Sequence, residues 1–231
     1  MKLKSFMTVG AALVMAASLS ALNADDKAES GWIDLFDGET LKGWKPSTLG
    51  SAVYVVHDGA IRGITTPGSP NTFLLSEKQF GDFELEFEVM VHDSLNSGVQ
   101  IRSREKTEED VAPKPGEEEK KRRNNNLGRF FGPQVEIESS PGQAGFIYGE
   151  ATGRGWLSPE PGEGAAHEHV KSGEWNQFRV VAKGARIQVW INGEAVADLT
   201  DEEIYKTHPK GHIGLQVHGV KKGTGPYDVF W

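Results

Sequence analysis

Past Lys27 the sequence alternates with period two, and that rhythm commits the chain to strands. The clearest stretch sets Phe83, Leu85, Phe87, Val89 and Val91 against Glu84, Glu86 and Glu88. Successive side chains of a strand point to opposite faces, so one face here is apolar and the other acidic. Residues 186–192 repeat the pattern with Ile187, Val189 and Ile191, and run into Asn192-Gly193. Asp58-Gly59 stands in the same way between strands expected at 53–56 and 60–64. Both residues of a tight hairpin turn need positive φ, which Asn-Gly and Asp-Gly tolerate best. Further short strands are expected at 33–36, 72–75, 98–103, 133–138, 175–182, 212–218 and 227–231, with one short helix at 201–206. Strands this frequent, cut by turns drawn from 28 glycines and 11 prolines, make one all-β domain. Its expected form is a two-sheet antiparallel sandwich or jelly roll. Trp32, Phe36 and Trp44 are expected in its core.

Three segments fall outside the rhythm. Lys2 and Lys4 precede an apolar and small-residue run from Ser5 to Leu22, with Ser20, Ala21 and Ala24 at its end. That is the pattern of a secretory leader over residues 1–24, cut after Ala21 or Ala24, with residues 25–231 as the exported domain. A membrane anchor is the competing reading, but Thr8, Gly10, Ser18 and Ser20 dilute the run and no basic cluster follows it. The expected location is periplasmic or secreted, with no membrane contact after cleavage. Residues 104–126 carry nearly balanced charges, two prolines and three asparagines but almost nothing to bury, and so predict a long exposed loop. At the other end, Tyr227-Asp-Val-Phe-Trp231 reads as a strand that stops in progress: an abrupt last strand, or a piece of a longer chain.

Composition removes several chemistries. There is no cysteine, hence no disulfide, thiol nucleophile or cysteine metal site. A formal net charge of −8 lacks the basic footprint of a nucleic-acid protein. No phosphate-binding loop, dinucleotide fingerprint or Ser-His-Asp pattern appears, and no organic cofactor is expected. What remains is a set of polar strand faces. Gln100 and Arg102 are expected on one face, opposite Val99 and Ile101. Gln134, Glu136 and Glu138 share another, and Gln216 and His218 a third. Two-faced antiparallel strands ordinarily have a wet side, and the Glu84–Glu86–Glu88 row is read as one. The other three faces mix amides, carboxylates, an arginine and a histidine. Gathered in one sheet, they would bind hydroxyls and move protons. Tyr148 and Trp156 flank a glycine-rich stretch, where they would stack on a sugar or anchor a loop. His167-Glu168-His169 offers two imidazoles but no third ligand nearby.

Read together, certain words of the sequence resemble the 3-keto-disaccharide hydrolase domain family. They are Trp32-Ile-Asp-Leu-Phe-Asp-Gly-Glu-Thr-Leu-Lys-Gly-Trp44, Phe80-Gly-Asp-Phe-Glu-Leu85, Asn96-Ser-Gly-Val-Gln-Ile-Arg102 and Gly132-Pro-Gln-Val-Glu-Ile-Glu138. Tyr148-Gly-Glu, Gly155-Trp-Leu-Ser-Pro159, Gly173-Glu-Trp-Asn176, Trp190-Ile-Asn-Gly193 and the segment 211–218 follow in order. The resemblance implies a concanavalin A-like sandwich and a carbohydrate substrate, namely glycosides oxidised to a ketone at C3. A C3 ketone acidifies the C2 proton, so a base can remove it and the C1 glycosidic oxygen can leave by elimination. Such a route needs a base, an acid and a group to hold the enolate oxygen. On the expected faces, Glu136 or Glu138 is the base, His218 the acid and Arg102 the oxyanion holder, with Gln100, Gln134, Gln216, Tyr148 and Trp156 binding the sugar. A divalent cation could replace Arg102. Two alternatives stand beside this reading. One is a sugar-binding module without catalysis. The other is an ordinary retaining glycosidase, which the spacing disfavours: backbone rise sets Glu136 and Glu138 about 6.5–7 Å apart, against about 5–5.5 Å for a retaining pair.

Overall fold

A computed structural model of the chain describes residues 1–6, 31–112, 126–138, 143–158 and 169–231. Strands β1 (Lys2–Ser5), β2 (Trp32–Asp34), β3 (Trp44–Pro46), β4 (Val53–His57) and β5 (Ala60–Ile64) come first. The long strands β6 (Thr72–Phe80), β7 (Phe83–Val91) and β8 (Ser97–Glu105) follow, then the one-turn helix α1 (Glu108–Val111). Next are β9 (Phe130–Ile137), β10 (Ile147–Glu150), β11 (Gly155–Trp156), β12 (Asn176–Lys183), β13 (Arg186–Ile191) and β14 (Glu194–Thr200). Helix α2 (Glu202–Thr207), β15 (Gly211–Val217) and β16 (Asp228–Phe230) complete the order.

The strands form two antiparallel sheets. One runs β14-β13-β12-β7-β16-β5-β4, with β1 paired to β7 and β2; the other runs β11-β10-β9-β8-β15-β6-β3. Alternation decides what lies between them. Leu85, Phe87, Val180, Ile187 and Val189 from the first sheet meet Val99, Ile101, Val135, Ile147, Ile213 and Leu215 from the second, all but excluded from solvent. Each such aliphatic or aromatic side chain contributes about 1.5–3 kcal/mol on burial. The two hairpin dipeptides turn as their chemistry requires: Asp58 and Gly59 have φ of 49° and 77°, Asn192 and Gly193 of 51° and 91°. The Glu84–Glu88 face is a charged surface, with Glu84 paired to Arg179 and Glu86 to Lys2. Asp201 caps α2 by accepting from the backbone N–H groups of Glu203 and Ile204, as an N-cap aspartate does.

Two expectations need correction. The strand β8 does not stop at Ser103. Arg104 and Glu105 pair with Phe131 and Phe130, Arg104 stacks on Phe131, and the segment expected as loop from residue 104 holds α1 as well; residues 113–125 lie outside the described chain. The second correction concerns Arg102. Between the Gln100–Gln134 and Arg104–Phe131 pairs β8 has one residue more than β9, and β15 is likewise one short. Arg102 adopts φ of 50° at this bulge. An extra residue re-aims the strand, so Gln100 and Arg102 do not share a face. The guanidinium is 2% exposed. It donates to the Gly81 carbonyl at 2.7 Å, the Gly184 carbonyl at 2.7 Å and Asp82 at 2.9 Å. It ties the second sheet to turns of the first.

The N-terminus adds a strand where a leader was expected. Leu3 is fully buried between Lys2 and Lys4, and Lys2–Ser5 pairs with Phe83–Glu86 on the edge of β7. Residues 7–30, which hold the apolar run, lie outside the described chain.

Candidate active site

The outer face of the second sheet is a trough lined with polar residues that solvent scarcely reaches. Its floor is β9, β8 and β15, which are adjacent strands. Register sets Tyr148 opposite Trp156 and Gln134, Gln134 opposite Gln100, and Gln100 opposite Gly214. The next row on the same face holds Glu136, Gly98 and Gln216. Beyond it Glu138 follows β9, Asn96 precedes β8 and His218 follows β15. Gly98 and Gly214 matter because other side chains lie across them. A Cβ on Gly98 would stand 2.6 Å from the Gln134 amide, and one on Gly214 would stand 2.4 Å from the Phe130 ring.

The sheet bends across this face. Strands β10 and β6 are separated by β9, β8 and β15, yet Asn71 Nδ2, just ahead of β6, comes within 3.5 Å of Glu150 Oε1 on β10. Past the bulge, the end of the β8–β9 hairpin closes over the sheet's outer face. Phe130 packs on Phe73 with ring centroids 5.2 Å apart, and Phe73, Leu75 and Phe130 form an apolar cluster separate from the main core. Arg129, one residue before Phe130, pairs with Glu150. Thr48 donates its backbone N–H to Glu105, fixing the hairpin to the far wing.

Inside the trough the carboxyl groups have distinct settings. Glu136 is 4% exposed. Its Oε1 accepts from Gln134 Nε2 at 2.7 Å and its Oε2 from Asn96 Nδ2 at 3.2 Å. Asn96 Nδ2 also reaches Glu138 Oε2 at 3.4 Å, so one amide holds both carboxyls. Burial pushes the Glu136 pKa up to about 8; its two hydrogen bonds oppose the shift, and Glu150 and Glu138 reinforce it. Glu136 is a protonated acid at neutral pH. Glu138 Oε1 is buried and has no hydrogen-bond partner. Burial also raises the Tyr148 pKa, with Glu150 and Glu136 adding to the shift and Arg129 opposing it. These groups therefore feel one another across one site. Both polar atoms of Gln100 and the Oε1 of Gln134 are buried without partners, leaving amide groups that a hydroxyl could satisfy. Among the described residues no three His, Cys, Asp or Glu side chains converge as a metal ion would require.

Residues 31–229 match the profile of the 3-keto-alpha-glucoside-1,2-lyase-like domain. The chain belongs to this family. Its lyase-like domain resembles several solved structures in fold. A candidate glycosyl hydrolase of Parabacteroides distasonis ATCC 8503 superposes with a TM-score of 0.52 at 19% identity, over 90% of this chain and 94% of that one. A Bacillus subtilis protein of unknown function with a galectin-like fold gives 0.53 at 10% identity, over 82% and 86%. The carbohydrate-binding module CBM66 of Bacillus subtilis gives 0.50 at 14%, over 81% and 91%. At these identities the likeness is one of fold, and it places the lyase-like domain among concanavalin A-like and galectin-like sandwiches. No curated protein matches the sequence.

In the lyase-like domain, then, Gln100, Gln134, Glu136, Glu138, Gln216 and His218 come from neighbouring strands of one sheet, and Tyr148 and Trp156 meet edge to face at its rim, 5.2 Å between centroids. His218 is half-buried, its Nδ1 bonded to the Gly219 carbonyl. Arg102 is absent from this group, for the bulge carries it to the other sheet. His169 lends its backbone carbonyl to Asn192, while His167 and Glu168 lie outside the described residues. Four contributors were not singled out from sequence: Asn96, Glu150, Arg129 and Asn71. Asn96 and Glu150 sit within words that carry the family resemblance, two residues from Gly98 and Tyr148, and could have been found by extending those faces. Arg129 and Asn71 arrive only through the bending of the sheet.

Proposed function

We propose that this carbohydrate-active, glycosyl-hydrolase-like domain cleaves 3-keto-glycosides by elimination across C1–C2, followed by hydration. The observation that carries the reading is the pair Glu136 and Glu138, held by one amide, of which Glu136 is pushed towards its protonated form by burial and Glu138 presents an unpartnered Oε1. Glu138 uses its unpartnered Oε1 to take the C2 proton, and the C2–H electrons pass through the enolate. Glu136 gives its proton to the C1 oxygen as the C1–O bond breaks, and the alcohol departs. The ring is left with a C1–C2 double bond. Glu136, now a carboxylate, takes a proton from water adding at C1, while Glu138, its proton exchanged with solvent, protonates C2. Both groups end as they began, and the product is the free 3-keto sugar. Glu136, kept neutral by burial, replaces His218 as the leaving-group acid. Gln134, Gln216 and the Tyr148–Trp156 pair are suited to hold the ring.

Mutation of each carboxyl tests this division of labour. On a 3-keto-glucoside, Glu138→Gln should lower turnover by about 10³-fold, because an amide keeps the shape but takes no proton. Glu136→Gln should spare substrates with a good leaving group, such as nitrophenol, and slow those with a sugar alcohol by about 10²-fold. Wild-type kcat/KM should fall as pH rises through about 8, where Glu136 loses its proton, and Glu136→Gln should remove that limb. Equal losses in both variants for every leaving group would contradict the assignment. A sugar-binding module without catalysis is the second reading, supported by the likeness to CBM66. Tight binding of a 3-keto-glucoside without turnover would establish it.

A further inference from the structure

Proton removal by Glu138 transfers a full negative charge to the substrate, and it resides on the C3 oxygen. Neutral Glu136 does not balance it. Arg102 cannot, since its guanidinium is bound to Gly81, Gly184 and Asp82 on the opposite sheet.

We propose that Arg129 is the catalytic electrophile that holds the C3 oxyanion, an assignment that rests on the elimination reading above. Its guanidinium enters the trough from the bent hairpin and pairs through Nη2 with Glu150. Nε is buried and has no partner, so the fork has a donor to spare. The side chain is 19% exposed, and its partner Glu150 lies on the same strand as Tyr148, two residues on and so on the same face. A guanidinium does not lose its proton in proteins. Glu150 balances its charge in the resting site, which makes the buried cation tolerable. Once the enolate forms, the cation acts on a charge that did not exist in the ground state, as transition-state stabilisation requires. The packing of Phe130 on Phe73 holds the preceding residue, so the donor is in place before the substrate arrives.

The test measures C2 hydrogen–deuterium exchange and alcohol release from methyl 3-keto-glucoside, with melting temperature followed in parallel. Arg129→Ala should lower exchange and release together by about 10²–10³-fold, and guanidinium chloride at millimolar levels should restore part of the variant's rate without accelerating the wild type. Arg129→Gln keeps a donor for Glu150 but carries no charge, and should lose as much while folding normally. The proposal is overturned if either folded variant exchanges within about threefold of wild type. It is equally overturned if rates fall only alongside melting temperature and guanidinium restores nothing, for then Arg129 merely fastens the hairpin. Failure of the elimination reading looks different: the wild type itself would show neither exchange nor release.

Discussion

Arg102 shows how far one residue can shift between a face read from alternation and its place in the fold. Counting by twos from Gln100 puts it in the trough, and the count is right up to the bulge. At φ of 50° the chain turns it into a gap between the sheets, where three acceptors hold it. Sequence gives no warning, because Arg is not a residue that advertises a left-handed conformation. Its role there is structural, with a measurable consequence. Arg102→Met should cost about 1–3 kcal/mol of stability, the range for leaving buried acceptors without their donor, while the folded fraction keeps kcat/KM within about threefold. Urea melts read with activity assays decide it; an unchanged midpoint with activity lost would return Arg102 to the site. By contrast, Glu136 and Glu138 were legible as candidates, since both continue the undisturbed alternation from Gln134. The raised pKa of Glu136 was not, because burial of this face follows from the bend of the sheet and the hairpin laid upon it.

The β8–β9 hairpin is the element that makes a site from a sheet. Before the bulge its strands are ordinary floor; after it they fold back, and Phe130 settles over Gly214 because that position has no side chain. Residues 98–103 and 133–138 were readable as strands, but the continuation to Glu105 and back from Phe130 was hidden by the charged composition that follows. Gly214→Ala probes the seating directly. A methyl placed 2.4 Å from the Phe130 ring forces the ring off Phe73, and overpacking of this kind costs about 1–3 kcal/mol. The expected result is a melting temperature lower by about 2–10 °C, with turnover reduced because Arg129 moves with Phe130. A variant with unchanged melting temperature and activity would mean that the hairpin does not rest there.

At the scale of the whole molecule the sandwich was the most legible level. Period-two runs and two hairpin dipeptides specify local strands, and apolar faces must be buried against one another, so two sheets follow. The order of strands within each sheet does not follow from local rhythm. That order brings β9, β8 and β15 together and lets Asn71 approach Glu150 from the opposite wing. The N-terminus shows the same limit: Lys2 and Lys4 fit the basic start of a leader, and they also frame a buried Leu3 on the edge of β7. Family membership and the shared sandwich give the fold, whereas the proposed chemistry rests on the protons of the trough. The measurement closest to that claim supplies the protein with a 3-keto-glucoside and its unoxidised parent in deuterated water, following aglycone release and the label at C2. Elimination predicts release from the keto sugar alone, with deuterium appearing at C2 of the product as the double bond is hydrated. Comparable release from the parent, with no deuterium at C2, would contradict it.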